Sequence, residues 1–190
     1  MLCTHTAHLN LKIMIILISG ATHSGKTFLA SKLMEKLSMP YLSLDHLKMG
    51  LIRSGQLKLL PKDDEKIKHK MWPIVREMIK TVIENHQNLI IEGDYIPFEF
   101  QKDFSAAYLK EIRFLCLILS QNYIKHNFSQ IKNNACVIEK RLFPDIVNTK
   151  ELISDNQHHL DECRRYNLTC AVIEKDFQKE LCAVLDRFPY

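Results

Sequence analysis

Lys12-Ile13-Met14-Ile15-Ile16-Leu17-Ile18-Ser19-Gly20-Ala21-Thr22-His23-Ser24-Gly25-Lys26-Thr27 is the stretch that decides the fold. Lys12–Ser19 is a continuous apolar run with β-branched residues. Its length and the glycine after it predict a buried parallel strand. Gly20–Thr27 meets the spacing G-x-x-x-x-G-K-[ST] in full. Lys26–Leu37 then places Leu29, Leu33 and Leu37 at helical spacing, with Lys32, Glu35 and Lys36 between them. Strand, glycine loop and helix therefore follow one another directly.

Each loop position has a chemical reason. Gly20 and Gly25 let the backbone turn where a Cβ would collide or strain. The amides of Gly20, Ala21, Thr22, His23, Ser24 and Gly25 converge on phosphate oxygens, and the next helix adds its positive end. His23 and Ser24 contribute mainly backbone groups. Lys26 sets a cation against the β- and γ-phosphates, and Thr27 offers a hydroxyl to Mg²⁺. The ligand this loop implies is a nucleoside triphosphate, ATP with magnesium.

The rest of the chain alternates strand and helix patterns. Tyr41–Leu44, Asn88–Ile91, Ile112–Leu119 and Thr169–Ile173 read as further strands. Helices are predicted over Asp45–Gln56, Asp63–His86, Gln121–Lys132, Lys150–Tyr166 and Phe177–Asp186. Pro73 interrupts the second of these, which predicts a kink or two abutting helices. Asn133–Asn148 reads as polar, basic and irregular. The alternation argues for an α/β fold with a five-stranded parallel sheet covered by helices on both faces.

Size and composition fit one compact domain over residues 12–190, at 46% hydrophobic and 25% charged residues. A net charge of +4 is too small for a dedicated nucleic-acid surface and suits an anionic small-molecule partner. The six cysteines (Cys3, Cys116, Cys136, Cys163, Cys170 and Cys182) form no C-x-x-C pair, so reduced thiols in a cytoplasmic protein are expected. Cys116 and Cys170 lie in strand runs and read as packed thiols. No span is long enough for a membrane, and no signal peptide is expected. Residues 1–11 read as a disordered or decorating tail, with Met14 as an alternative start. His158, His159 and Cys163 do not make a metal site, because adjacent histidines point to different helix faces and a fourth ligand is missing.

Carboxylates at strand ends carry the next inference. Glu92 follows its apolar run directly, and Gly93 allows a close backbone approach. Glu92 is favoured over Asp94 as the acidic partner of Mg²⁺; a solvated strand end is the plainer reading. Asp45 closes the second strand at the ligand-binding edge. It reads equally as a proton acceptor for an attacking hydroxyl and as a helix N-cap. Lys48, Arg53 and Lys58 lie in the helical segment that follows. Arg53 suits a carboxylate or phosphate on an acceptor, or is an exposed helix residue. Trp72 lines an acceptor pocket or belongs to the core.

Gly20–Thr27, Asp45 and Glu92-Gly93 together resemble the small P-loop kinases: the adenylate-kinase, shikimate-kinase, zeta-toxin and chloramphenicol-phosphotransferase group. Tyr41-Leu-Ser-Leu-Asp45-His-Leu-Lys-Met-Gly50-Leu and Leu89-Ile-Ile-Glu-Gly-Asp-Tyr-Ile-Pro97 look like bacterial proteins labelled adenylate-kinase-like or 2-phosphoglycerate-kinase-like. The resemblance implies a P-loop NTPase fold with a helical substrate insert, here about 45–86, and a lid, here about 132–148. It implies Lys26, Asp45 and a lid arginine, Arg141, as catalytic groups, and Asp45, Lys48, Arg53 and Gly93 around the acceptor. Lys132 and Lys140 are the lid's other cations. Departures are visible too. The second strand ends in one Asp rather than Asp-x-Asp, and Asp-Gly-Phe-Pro-Arg is replaced by Glu-Gly-Asp-Tyr-Ile-Pro, which argues against a kinase for AMP. An N-K-x-D guanine motif is missing as well.

The leading expectation is an ATP-dependent phosphotransferase for a small, anionic, hydroxyl- or phosphate-bearing metabolite, acting as a monomer or homodimer. Two alternatives stand beside it. One is a regulatory ATP-binding module, which an exposed apolar face on Leu47–Leu60 would favour. The other is a kinase for nucleotides or nucleic-acid ends, for which a basic-aromatic stripe is missing.

Overall fold

The computed structural model describes residues 13–134 and 148–188. The strands are β1 (Ile15–Gly20), β2 (Tyr41–Ser43), β3 (Leu89–Glu92), β4 (Ile112–Leu119) and β5 (Cys170–Ile173). They form one sheet in the order β2-β3-β1-β4-β5, and every neighbouring pair is parallel. All six residues of β1 are buried. A strand with parallel neighbours on both edges and helices on both faces has no solvent side, so its sequence runs apolar without alternation.

The helices are α1 (Lys26–Leu37), α2 (Leu44–Arg53), α3 (Asp64–Glu84), α4 (Ala106–Leu109), α5 (Gln121–Asn134), α6 (Thr149–Arg165) and α7 (Phe177–Arg187). Successive residues of β1 feed opposite faces of the sheet. Ile15 and Leu17 pack with Ile67, Met71, Val75 and Ile79 of α3, together with Phe114 and Cys116 of β4. Ile16 and Ile18 pack with Leu29 and Leu33 of α1, Ile124 of α5 and Leu181 of α7. The chain leaves β1 toward β2 on one side and later crosses to β4 on the other. The crevice where ligands gather in such sheets therefore lies beside the carboxyl end of β1.

Three readings are decided here, the second as a correction. First, α3 is one helix from Asp64 to Glu84 with Pro73 inside it, not two abutting helices. Pro73 takes away the N–H that the carbonyl of His69 would accept, but both residues are exposed, so water can serve that carbonyl. The apolar face of Ile67, Met71, Trp72, Val75, Ile79 and Ile83 continues past the proline and holds the helix together. Second, β2 ends at Ser43 and α2 begins at Leu44. Asp45 therefore neither closes the strand nor caps the helix; Ser43 is the N-cap, and Asp45 lies in the first turn. A carboxylate there still meets the positive end of the helix. Third, Trp72 is core, at 6% exposure. Its indole N–H donates to Asp103 Oδ2 at 2.7 Å, and its ring meets Phe104 edge-on.

The segment after β3 has no repeating pattern in its sequence that would assign it an element. It holds a 3-10 turn at Phe100–Asp103 and the short α4, tied down by buried Phe98, Phe100 and Phe104. The four described cysteines, Cys116, Cys163, Cys170 and Cys182, are free thiols; Cys116 is buried and Cys170 half-buried. Cys3 and Cys136 lie outside the described residues. So do Lys140, Arg141 and most of the expected lid; Lys132 is exposed near the end of α5. Among the described residues no helix is long and apolar enough to cross a membrane.

Candidate active site

The phosphate loop leaves the buried end of β1 and enters α1 through Gly25, which takes a left-handed conformation at φ 95°. The amide of Ser24 donates to the carbonyl of Ala21 at 3.1 Å, closing a turn within the loop. His23 also sits at positive φ (62°), so its main chain is shaped by the turn, in keeping with a backbone role. The first turn of α1 has no acidic residue, so nothing on the helix itself offsets its positive end. Lys26 Nζ donates to the carbonyls of Gly20 (2.7 Å) and Ala21 (2.8 Å). Its cation is thereby held over the mouth of the loop.

Glu92 ends β3 and is 1% exposed. It is level with Ile18 of β1 and Ser43 of β2, which puts it between the phosphate loop and the start of α2. Thr27 Oγ1 donates to Glu92 Oε2 at 3.4 Å. A hydroxyl and a buried carboxylate at the positive end of a helix are hard oxygen donors of the kind Mg²⁺ takes, alongside phosphate oxygens and water. Gly93 follows at φ 148°, and a Cβ there would lie 2.7 Å from Leu44 Cβ. That glycine lets the turn after β3 pass directly against the start of α2.

On the far side of this turn Lys48 is already engaged. Its Nζ reaches Asp64 Oδ1 at 3.2 Å and Asp45 Oδ1 at 3.9 Å, and it donates to the hydroxyl of Tyr95. Tyr95 in turn donates to Asp64 at 2.6 Å. Burial, the bond to Asp64 and the nearby Asp45 and Asp94 charges all push the Tyr95 phenol above its usual range, so it stays a donor. Asp45 and Lys48, two of the expected acceptor groups, are thus brought together next to Gly93. Arg53 is not part of this cluster; it sits exposed in the last turn of α2.

Sequence reading misses one set of residues. His159 on α6 is 2% exposed. Its Nε2 donates to Asp94 Oδ1 at 2.9 Å, and its Nδ1 lies 2.9 Å from the carbonyl of Asp155 and 3.2 Å from that residue's carboxylate. The other oxygen of Asp155 accepts from the Thr22 amide of the phosphate loop at 3.2 Å. Asp155 and His159 share a helix face by their spacing of four, a signal present in the sequence. Their meeting with Asp94 and Thr22 depends on tertiary folding. Burial acts to raise the Asp94 carboxyl, but the His159 bond and the charges of Lys26 and Lys68 outweigh it and hold the pKa low.

Burial alone would lower the His159 pKa, yet the bonds to Asp155 and Asp94 win and raise it to about 9. The folded value lies above the unfolded one, so the stabilisation is complete below pH 6.5 and is lost as pH rises through about 9. The full difference amounts to roughly 3 kcal/mol. Urea unfolding at pH 6.5 and pH 9.5 is expected to show this loss, and His159→Gln is expected to remove it. An equal pH dependence in both proteins would refute the assignment.

No family model matches the chain, and no curated protein matches it. Solved structures do. A shikimate kinase from Bacteroides thetaiotaomicron superposes with a TM-score of 0.53 at 16% identity, over 91% of this chain and 97% of that one. A gluconokinase from Sinorhizobium meliloti 1021 gives 0.53 at 15%, over 93% of each chain. A deoxyadenosine kinase from M. mycoides gives 0.55 at 15%, over 92% of this chain and 98% of that one, and another structure of that kinase holds dATP. The chain has the fold of the small P-loop kinases. At one edge of its sheet Thr27 meets Glu92, the Lys26 charge acts on Asp94, and Asp45 lies beside Lys48.

Proposed function

We propose that this protein is an ATP-dependent phosphotransferase acting on a small hydroxyl-bearing metabolite. The observation that carries the reading is the convergence of three parts at one sheet edge. These are a complete phosphate loop with Lys26 aimed at its mouth, the Thr27–Glu92 oxygen pair at 3.4 Å, and Asp45 in the first turn of the next helix. ATP's phosphates would lie on the loop amides, and Thr27 and Glu92 would hold Mg²⁺, which would neutralise phosphate charge. Asp45 accepts the hydroxyl proton, with Lys48 beside it. Arg141 supplies charge to the transferring group. Positioning and charge neutralisation then provide most of the catalysis.

The acceptor's own charge is a second point of the proposal. Its expected anionic character draws on Lys48 and Arg53, but Lys48 is shared with Asp45 and Asp64, and Arg53 lies away from the cluster at the end of α2. A hydroxyl-bearing acceptor suits the site better than a strongly anionic one. The reading as a regulatory module loses its main support. Leu47, Leu51, Ile52, Leu57 and Leu59 pack against the core, and Leu60 alone in that segment is strongly exposed, at 58%.

ADP release over a panel of sugars, polyols, nucleosides and hydroxy acids tests the function, with Lys26→Ala as control. An acceptor that raises turnover well above slow hydrolysis supports it; none across the panel sinks it. Glu92→Gln is expected to raise the Mg²⁺ concentration for half-maximal rate by about tenfold or more. An unchanged Mg²⁺ titration would remove Glu92 from the metal site.

A further inference from the structure

The phosphate loop carries a resident carboxylate. Thr22 is the third residue of Gly20–Thr27, the loop proposed to hold phosphate. In this structure its amide donates to Asp155 Oδ2 at 3.2 Å. A carboxylate oxygen on a loop amide has the charge and bonding of a phosphate oxygen in the same place. It does not reach the loop by chance of an exposed side chain, since α6 is fixed around it. Asn156, the next residue, is 2% exposed; its Oδ1 accepts from the Leu119 amide at the end of β4 at 2.7 Å, and its amide donates to the Leu152 carbonyl. One turn further, buried His159 touches the second oxygen of Asp155 at 3.2 Å and bonds to Asp94 on the opposite wall. Phe98 meets the imidazole ring edge-on, with centroids 5.3 Å apart.

We propose that Asp155 is a built-in competitor of the nucleotide's phosphates for the phosphate loop, and that His159 is the positioning residue that retains Asp155 when phosphate displaces it. The inference rests on the triphosphate-binding reading of the loop. A carboxylate lying on the loop and a phosphate seated in the same loop repel strongly at close range. Bound phosphate therefore turns Asp155 off Thr22, and the carboxylate keeps its bond to the imidazole of the same helix face. The charges around His159 make this possible. Asp155 and His158 lie on its own helix, with Cys163 one turn on. Asp94 faces it from the turn after β3, with Lys26 and Lys68 acting on Asp94. His159 thus sits between two carboxylates and offsets them beside a polyanion site.

The consequence runs against the usual effect of mutating a residue bonded to a binding loop. Removing the Asp155 charge strengthens nucleotide binding, and removing His159 weakens it. Calorimetric titration of the full chain with Mg²⁺ and a non-hydrolysable ATP analogue is the test, on the wild type, Asp155→Asn, Asp155→Ala, His159→Gln and the double variant Asp155→Asn/His159→Gln. Both Asp155 variants are expected to bind about tenfold more tightly, the scale of one close like-charge contact at a partly screened site. His159→Gln is expected to bind several-fold more weakly than the wild type, and the double variant to fall short of Asp155→Asn by clearly less than that. Thermal melting confirms that each protein is folded. Folded Asp155 variants that bind equally or more weakly would overturn the competition. A His159→Gln loss of equal size with and without the Asp155 charge would overturn the retaining role, since a histidine that acts through Asp155 matters less once that charge is gone. Absence of binding in every protein, the wild type included, would overturn the triphosphate reading and this inference with it.

Discussion

Replacement of Lys26 by alanine is expected to lower ATP-dependent phosphoryl transfer by about 100- to 1000-fold, the range for removing one preorganised charge from a developing transition-state charge. The structure shows why the loss is more than that of a surface cation. Nζ is fixed by the carbonyls of Gly20 and Ala21 at 2.7 and 2.8 Å, so its position is set before any substrate arrives. A preorganised charge needs no rearrangement when the γ-phosphoryl moves. The same two bonds brace the loop. Their removal is expected to cost about 1.5–3 kcal/mol of stability, the range for a hydrogen bond to a charged group. The two effects separate in experiment, because a melting shift of a few degrees cannot account for a hundredfold fall in rate at a temperature where both proteins are folded. Lys26→Arg is not expected to restore activity. The guanidinium is planar and larger, and it cannot occupy the two-carbonyl seat as a compact ammonium does. Measured initial rates of ADP release within tenfold of wild type for Lys26→Ala would rule out this loop as the catalytic phosphate site.

This loop is legible in the sequence because its function is local. Six backbone positions, one lysine and one hydroxyl lie within a single turn, so spacing alone defines them. The sheet is legible for a different reason. β1 and β4 are buried on both faces, and an unbroken apolar run of that length, ended by a glycine or a polar residue, fits little besides a covered strand. Glu92 stands out because the carboxylate directly follows such a run. Where structure and sequence pattern part, the deciding physics is not local. Pro73 breaks a helix by its own chemistry, but a buried stripe on either side of it and solvent beside His69 override that tendency. Asp45 sits in the first turn of a helix rather than at a strand end because Ser43 and Leu44 divide β2 from α2 with no glycine or proline to mark the border. Trp72 is ambiguous until Asp103, thirty-one residues away, supplies its hydrogen-bond partner. The Asp155–His159–Asp94 bridge is hidden for the same reason. In the sequence His159 stands beside His158 and Cys163 and prompts the question of a metal, whereas its partners in the fold are two carboxylates, one of them from another part of the chain.

Gly20→Ala is expected to be among the most damaging single substitutions in the described residues, and to act through folding rather than chemistry. Gly20 is the last residue of β1, paired in register with Leu117 of β4. Its φ is 147°, a region that side chains of L-residues rarely enter. A Cβ at this position would lie 2.2 Å from the carbonyl oxygen of Leu117 and 2.8 Å from Ser24 Oγ. The serine hydroxyl can rotate away, but the carbonyl cannot. It belongs to the central ladder of the sheet, and Leu117 itself is fully buried among Ile16, Ile18 and Leu29. Relief therefore demands a shift of β1 against β4 or a changed path into the loop. Strained backbone and overpacking each cost about 1–3 kcal/mol, so a combined loss of about 3–5 kcal/mol is expected. That is a large share of the stability of an ordinary domain. Urea unfolding of Gly20→Ala measures it. The contrast is Gly50→Ala, a helical glycine on α2 with open space around its would-be Cβ, where the better helix former is expected to stabilise by about 0.5–1 kcal/mol. If both substitutions changed stability by less than about 1 kcal/mol, the close approach of Gly20 to β4 would not be a feature of the folded protein. The steric origin of the loop's first glycine would then be wrong. A large loss at Gly20 beside a small gain at Gly50 ties the loop's shape to the sheet that holds it. The loop's shape is then a property of the β1–β4 pair as much as of its own eight residues.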